Sequence, residues 1–107
     1  MSERFMHMLG LAKRAHAVRS GAVACEQAME KGQAKLIVLA EDAADEVKLA
    51  YTARARSRGI KIVAVPSKIA LGNAIGKSPR AALIVTDAGF AQRLWSMSQE
   101  TGGGISV

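Results

Sequence analysis

A run of five apolar residues, Leu36 to Ala40, constrains the fold of this chain more than any other stretch. It follows a helix-breaking Gly32 and ends at two carboxylates, Glu41 and Asp42. An apolar run of this length between polar residues is typical of a strand that is buried on both faces. Such strands lie in the middle of α/β sheets, so the helix predicted before it must cover one of its faces.

The rest of the chain predicts helices and strands in alternation around that strand. Hydrophobic spacing and boundary residues predict helices at about residues 2–15, 21–31, from Asp42 or Asp45 to about 58, 68–75 and from 87 onward. Extended segments are predicted at 17–20, as a short edge strand, and at 36–40, 60–65 and 81–85. The fold class is therefore α/β, a single-domain three-layer α/β/α sandwich with a small, largely parallel or mixed four-stranded sheet. We expect the domain to span residues 1–100 and the glycine-rich residues 101–107 to form a flexible tail.

Helix-capping residues lie at most of the predicted helix boundaries. Small polar and acidic side chains accept backbone N–H groups at helix starts, and glycine favours the left-handed conformation at helix ends. The candidates, in chain order, are Ser20 or Gly21, Gly32, Asp42 or Asp45, Ser67, and Thr86 or Asp87.

Three carboxylates that follow predicted strands raise the alternative of an enzyme. Ligands of open α/β sheets bind outside the carboxyl ends of the strands, so Glu41, Asp42 and Asp87 could hold Mg²⁺ while Lys68 neutralises a phosphoryl group. Helix capping explains Asp42 and Asp87 with fewer assumptions. The chain also lacks a phosphate-binding glycine motif and a nucleophile–base pair. We therefore expect a protein that is not an enzyme and uses no cofactor or metal.

The chain is strongly basic for its size, and this predicts a polyanionic partner. Fifteen Lys and Arg stand against nine Asp and Glu, which gives a net charge of +6. Aromatic residues are scarce, so an RNA partner would be recognised through its shape and backbone, without stacking of its bases on aromatic side chains. We expect five positions to surround one edge of the sandwich: Gly21, Lys35, Lys68, Lys77 and Arg80.

The single cysteine and the short apolar runs bound the location of the protein. Cys25 excludes an internal disulfide and is interpreted as a small packing residue in a helix. No apolar run approaches the ~18 residues of a membrane span, and residues 1–15 lack the apolar core of a secretory signal. We expect a cytoplasmic monomer with no membrane partner.

Three segments of the chain resemble the kink-turn-binding ribosomal-protein superfamily, and in particular its short bacterial YlxQ-like branch. The segments are KGQAKLIVLAED at 31–42, SKIALGNAIGK at 67–77 and VTDAGFA at 85–91. The resemblance covers about residues 8–94 and implies the same α/β/α sandwich. It also implies binding to kink-turn or related structured RNA, such as ribosomal RNA, with ribosome or ribosome-assembly proteins as further partners.

The resemblance fails at the motif that reads the RNA bases. Family members begin the second helix with Gly-x-Asn-Glu-x-x-Lys, and this segment engages the tandem sheared G·A pairs. Here Gly21 is kept, but Val23, Ala24 and Gln27 occupy the Asn, Glu and Lys positions. Val and Ala cannot hydrogen-bond to a guanine edge, and a bidentate base contact is worth roughly 1–3 kcal/mol of discrimination.

Other parts of the family's binding surface are present. Lys35 and Lys68 match basic positions of the family, and Lys77 to Arg80 correspond to the loop that covers the extruded nucleotide. Its Pro-Arg order differs from the Arg-Pro of some members. The predicted RNA-binding residues are Arg14, Arg19, Gly21, Gln27, Lys35, Lys68, Lys77, Ser78 and Arg80.

Two hypotheses for the function therefore stay open in addition to the enzyme alternative. In the first, the chain is a non-enzymatic, ribosome-associated RNA-binding protein that uses phosphate contacts from these cations. In the second, it is a protein–protein interaction module that kept the fold but lost specific kink-turn recognition, because the Asn, Glu and Lys are missing.

Overall fold

The computed structural model describes residues 3–100, so the predicted flexible tail at 101–107 lies outside the described residues. The elements in chain order are α1 Glu3–Arg14, β1 Val18–Ser20, α2 Ala22–Glu30, β2 Leu36–Ala40, α3 Asp45–Arg58, β3 Lys61–Val65, α4 Lys68–Ala74, β4 Ala82–Val85 and α5 Ala88–Glu100. Each predicted helix and strand is found, with boundaries that differ by a few residues at most.

The four strands form one sheet in the order β1-β4-β2-β3. β2 pairs with β3 in parallel, whereas β4 runs antiparallel to both of its neighbours, β1 and β2. The sheet is therefore mixed, which is the second of the two sheet types expected from the sequence. The cause is the short α4: the loop after it returns to the start of that helix, where the Arg80 backbone N donates to the Lys68 carbonyl at 3.0 Å. The chain thus enters β4 at the edge where β3 ended.

Alternate residues of β2 face two separate apolar layers, as the buried strand predicts. Leu36 and Val38 pack with side chains of α1, α4 and α5, including Phe5 and Leu94. Ile37 packs on the opposite face against α2 and α3. Every residue of β2 is buried, so the three-layer α/β/α sandwich is confirmed.

The two ends of the strands form two edges of the sheet, and different connecting segments of the chain lie at each of them. The upper edge is where β1, β2 and β3 end and β4 begins, next to Ser20, Ala40 and Val65. The lower edge is where β2 and β3 begin and β4 ends, and there Leu36 lies opposite both Lys61 and Val85. These two names are used below.

This topology separates the three carboxylates of the enzyme alternative. Glu41 and Asp42 follow β2 at the upper edge, whereas Asp87 follows β4 at the lower edge. The residues described between 3 and 100 also contain no group of three His, Cys, Asp or Glu side chains placed to hold a metal. The proposed shared Mg²⁺ site is wrong, because β4 runs against β2.

Two of the predicted caps are confirmed and one belongs to another helix. The Ser67 hydroxyl accepts from the Ala70 N–H at 3.1 Å, and the Asp87 carboxylate accepts from the Phe90 N–H at 2.9 Å. Asp42 does not cap α3, which follows Ala44 without a side-chain cap. The cap expected of Asp42 or Asp45 on α3 is thus wrong.

Glycine ends α2 by the predicted left-handed turn. Lys31 is the C-cap residue of α2, and Gly32 follows it with φ +72°. The Gly32 N–H donates to the Met29 carbonyl at 3.1 Å, and the Gln33 N–H donates to the Ala28 carbonyl at 2.9 Å. This pair of bonds is the Schellman motif, which satisfies the last carbonyls of the helix.

Candidate nucleic-acid interface

Four segments of the chain meet at the upper edge. They are the start of α2 after Gly21, the β2–α3 connection from Glu41, the start of α4, and the α4–β4 loop, which we define as residues 76–81. Backbone bonds hold these segments together: the Ala40 N–H donates to the Ala81 carbonyl, and the Glu41 N–H donates to the Val65 carbonyl, both at 2.8 Å. The sheet thus assembles one surface from parts that are distant in sequence.

The start of α2 depends on the backbone freedom of Gly21. Its φ is +89° and its ψ is 145°, a conformation that is essentially restricted to glycine. Space is not the constraint, since a Cβ at Gly21 would meet no atom within 4 Å. No side chain of the described residues caps this helix, so its first backbone N–H groups are left for solvent or a ligand.

The α4–β4 loop lies directly on α4 because residue 72 is glycine. A Cβ at Gly72 would overlap the Ser78 carbonyl oxygen and would lie 2.9 Å from the Lys77 carbonyl oxygen. The loop begins with a second Schellman motif, in which the Gly76 N–H donates to Asn73 at 3.1 Å and the Lys77 N–H donates to Gly72 at 2.9 Å. The glycines therefore fix the position at which Lys77 and Ser78 are exposed.

Arg80 organises the loop from within. One of its terminal nitrogens donates to the Ser78 hydroxyl at 2.8 Å and to the carbonyls of Ser78 and Pro79, each at 3.2 Å. Its Nε is buried and has no hydrogen-bond partner within residues 3–100. The structure shows that this side chain shapes the loop, and its contact with RNA stays a prediction.

Asp42 joins two of the four segments. Its carboxylate accepts from the Lys68 backbone N–H at 2.8 Å, so it caps α4 across the upper edge. A carboxylate is well placed there because the helix N-terminus carries partial positive charge. The Lys68 side chain remains exposed beside it.

The predicted RNA-binding residues divide between the two edges. Gly21, Lys68, Lys77, Ser78 and Arg80 lie together at the upper edge, and Gln27 is exposed farther along α2. Five positions were expected to surround one edge of the sandwich, and this is wrong for Lys35, whose N–H donates to the Val85 carbonyl at the lower edge. Lys35 comes just before β2, which begins at the lower edge. The other four positions follow β1 or β3, or precede β4, at the upper edge.

The two N-terminal arginines also lie away from the loop. Arg14 ends α1, close to Ala17, whose carbonyl accepts from the Thr86 N–H at the lower edge. Arg19 is in β1, and its guanidinium donates to the His16 carbonyl at 2.9 Å and to the Val18 carbonyl at 3.2 Å. Its side chain is thus bonded to the backbone that precedes β1.

Two exposed apolar side chains complete the upper edge. Val23 is 71% exposed and Ile69 is 63% exposed, each in the first turn of its helix. Val23 was recognised from sequence as a replacement for Asn, but Ile69 was missed. The available signal was its place two residues after the Ser67 cap, in the first turn of a helix that begins at a strand end.

Cys25 and Tyr51 anchor α2 on the sheet. The Cys25 thiol is buried and donates to the Arg19 carbonyl at 3.4 Å. Burial raises the pKa of this thiol, partly opposed by its hydrogen bond with Tyr51. Burial, followed by the effect of Cys25, raises the pKa of the Tyr51 phenol well above its ordinary value. Both groups are therefore neutral at physiological pH, and the prediction that Cys25 is a packing residue is confirmed.

Residues 3–95 match the ribosomal protein L7Ae/L30e/S12e/Gadd45 family. The chain is 37% identical over 90 residues to the RNA-binding protein YlxQ of Bacillus subtilis, which covers 84% of this chain and 90% of that protein. It is 32% identical over 94 residues to the large ribosomal subunit protein eL8 of Halobacterium salinarum, covering 86% and 78%.

Solved structures show the same fold. A Bacillus halodurans protein of unknown function superposes with a TM-score of 0.87 at 32% identity, covering 92% of this chain and 99% of that chain. A 15.5 kD RNA-binding protein of Giardia lamblia superposes with a TM-score of 0.75 at 21% identity, covering 94% and 92%. The helices described between residues 3 and 100 include none that is long and apolar enough to cross a membrane.

Proposed function

Because the chain belongs to the ribosomal protein L7Ae/L30e/S12e/Gadd45 family, we propose that it is a non-enzymatic RNA-binding protein whose upper edge binds kink-turn or related internal-loop RNA. The observation that carries this proposal is the built surface at that edge. An uncapped helix start at Gly21 lies on the same edge as a basic loop that Gly72 and Arg80 hold in place.

Phosphate contacts supply the affinity in this proposal. The side chains of Lys68, Lys77 and Arg80 and the first N–H groups of α2 face the RNA backbone. Three neutralised phosphates would give a log–log salt slope of about −2 to −3 by the counterion-release relation. The ligand is a structured RNA, most simply a ribosomal one, and the protein acts as a cytoplasmic monomer.

Val23 and Ile69 replace hydrogen-bonded base reading by apolar contact. Exposed aliphatic side chains beside a phosphate-binding loop can pack on an unstacked base or a ribose. Such contact carries little base specificity, because every base has an apolar face. We therefore expect this protein to favour the bent shape of the RNA with weaker dependence on the G·A pairs.

The experiment that tests the proposal is a titration of a standard kink-turn RNA and a matched plain duplex at several salt concentrations. Preferential binding of the kink-turn, retained when salt is raised, supports the proposal. Equal binding of both RNAs at every salt concentration would overturn it.

The second candidate is a protein-interaction module, and the exposed Val23 and Ile69 are the observation that favours it. Under this alternative the native chain does not discriminate kink-turn from duplex RNA. The triple variant Val23→Asn, Ala24→Glu and Gln27→Lys would then gain discrimination of tenfold or more, at ~1–3 kcal/mol per bidentate contact. A native chain that already discriminates as well as this variant excludes the alternative.

A further inference from the structure

The lower edge carries a continuous concave surface that the proposed function does not use. Two adjoining depressions, of about 430 and 520 Å³, share Lys35 and Gly59 in their walls. One lies between the start of β3 and α5, and includes Lys61 and Trp95. The other lies between the C-terminal ends of α2 and α3, and includes Arg58. We call this surface, defined by Lys35, Arg58, Gly59, Lys61 and Trp95, the lower trough.

The charge of the lower trough has a single sign. Lys35, Arg58 and Lys61 line it, and none of the described lining residues carries a carboxylate. Neither lysine forms an ion pair with any residue of the described chain. Asp87, which precedes the lining residue Ala88, accepts from the Phe90 N–H as a helix cap. Three cations on a concave wall without a counter-ion concentrate positive potential where an anion would bind.

Two of the three cations are held in position. The Arg58 guanidinium donates to the Met29 carbonyl at 2.9 Å, which fixes it at the end of α2 while leaving its other N–H groups available. The Lys61 ammonium lies 4.7 Å from the centroid of the Trp95 ring, a cation–π contact. Less side-chain freedom is lost on binding when the cations are already ordered.

The lining of the trough favours a nucleic-acid backbone over a protein partner. Protein interfaces bind mainly through buried apolar and aromatic anchors. The large apolar side chains that are exposed in residues 3–100 are Val23, Leu49 and Ile69, and none of them lines the trough. Its only large ring, Trp95, is half-buried and covered by Lys61. Positive charge without apolar anchors suits a phosphodiester backbone.

We propose that the lower trough is a second RNA-binding surface, which binds the phosphate backbone of a duplex RNA segment through Lys35, Arg58 and Lys61. This goes beyond the proposed function, because it requires no kink-turn and lies at the opposite end of the strands. The protein then contacts two separate parts of an RNA, one by shape at the upper edge and one by charge at the lower trough.

The chain provides its own reporter for this site, since Trp95 is its only tryptophan. A phosphate that draws the Lys61 ammonium off the indole changes the surroundings of the ring. We expect Trp95 fluorescence to change when a plain 12-base-pair RNA duplex is titrated into the full-length protein. Anisotropy of the labelled duplex measures total binding in the same titration.

The decisive variant is Lys35→Gln with Arg58→Gln, which leaves Lys61 and Trp95 in place. We expect it to weaken duplex binding about tenfold or more near 0.1 M salt. The slope of log binding constant against log salt concentration should decrease in magnitude by about 2, since each lost phosphate contact contributes ~0.9. The matched control, Arg4→Gln with Arg93→Gln, removes the same charge from exposed positions on α1 and α5 outside the trough. The control should change the slope by less than half as much and retain the Trp95 signal.

Three results would overturn the inference: equal weakening by both variants, duplex binding without a change in Trp95 fluorescence, or no duplex binding at all. The kink-turn titration separates this failure from failure of the proposed function. A kink-turn preference that persists while the lower-trough variant has no effect leaves the proposed function standing alone. A duplex signal that depends on the trough, without a kink-turn preference, supports the inference and overturns the proposed function.

Discussion

The upper edge and the lower trough differ in how their charges are arranged. At the upper edge, Lys68 and the α4–β4 loop share the surface with Glu41, Asp42 and exposed aliphatic side chains. In the lower trough, cations line the wall without carboxylates. The difference follows the helix directions: α3 begins with Asp45 and Glu46 near the upper edge and ends with Arg56 and Arg58 at the lower edge.

Helix electrostatics therefore explains part of both surfaces. Carboxylates stabilise helix N-termini and cations stabilise C-termini, each by about 0.3–1 kcal/mol. Such placement makes the lower edge basic whatever the protein binds. A charged edge alone is thus a weak sign of a site, and the concave shape and the ordered Arg58 and Lys61 of the trough are the stronger signs.

The substitution Gly72→Ala should have the largest effect, because it should weaken binding at the upper edge without changing the lower trough. The added methyl overlaps the Ser78 carbonyl, so the loop must move or the helix must shift. Overpacking of this kind costs about 1–3 kcal/mol, reduced by the ~1 kcal/mol that alanine gains over glycine in a helix. We expect kink-turn binding to fall by more than tenfold while duplex binding at the lower trough is unchanged. Asn73→Ala, exposed on the same helix, is the control in thermal unfolding and in both titrations.

Replacement of Arg80 should separate the shape of the loop from its charge. Arg80→Ala removes the bonds to Ser78 and Pro79, which we expect to cost about 1–2 kcal/mol of stability, since a net hydrogen bond is worth roughly 0.5–1.5 kcal/mol. Arg80→Lys keeps the charge but lacks the planar guanidinium whose terminal nitrogen donates these bonds. If Arg80→Lys binds kink-turn RNA as tightly as the native protein, only the charge matters at this position.

Removal of Asp42 should change stability and binding in opposite directions. Asp42→Ala leaves the Lys68 N–H without its cap, at a cost of about 1 kcal/mol in chemical denaturation. The same change removes a negative charge from the upper edge, so RNA binding there should strengthen by severalfold at low salt. Asp45→Ala carries the same charge change beside an exposed 3.8 Å pair with Lys48, and should cost a few tenths of a kcal/mol. Equal destabilisation by the two variants would contradict the capping role.

The smallest expected effect concerns the layer between the two surfaces. The pKa of Cys25 is raised in the folded state, so the unfolded chain loses this proton first as the pH passes its ordinary value of 9.0. Tyr51 adds to the effect above its ordinary value of 10.0, also because its pKa is raised. The contribution of these two groups to the free energy of unfolding is thus fully present below pH 9 and is lost as the pH rises. Thermal unfolding between pH 7 and 10.5 should show a smaller alkaline loss for Cys25→Ala than for the native protein, because the change removes the thiol and one cause of the raised Tyr51 pKa.

Local features of the fold were predictable from sequence because their causes are local. The apolar run at 36–40 predicts a strand buried on both faces, and Ser67 and Asp87 cap the helices that they precede. The alternation of predicted helices and strands also predicts the sandwich, whereas the role expected of the loop at 77–80 comes from the resemblance to known RNA-binding proteins. These features depend on residues within one or two turns of each other.

The direction of β4 and the composition of each edge could not be predicted in the same way. They depend on the bond from Arg80 to Lys68, which turns the chain back after a short helix. Once β4 is reversed, Asp87 leaves the edge of Asp42, and Lys35 lies opposite the loop that it was expected to join. Asp42 also accepts from the Lys68 backbone N–H, 26 residues farther along the chain, a partner that sequence spacing does not place beside it.

The bonds that close the α4–β4 loop have a kinetic consequence. The Lys77 N–H bond to Gly72 and the Arg80 N–H bond to Lys68 tie both ends of this loop to one short helix. These bonds hold the loop in place in the folded protein, so under the proposed function RNA meets a preformed surface. Ordering a mobile side chain at an interface costs roughly 0.5–1.5 kcal/mol, and this penalty is already absorbed by the folded protein. Encounter with the upper edge should thus proceed in a single phase, at a rate set by diffusion and charge, with no slow step of loop rearrangement.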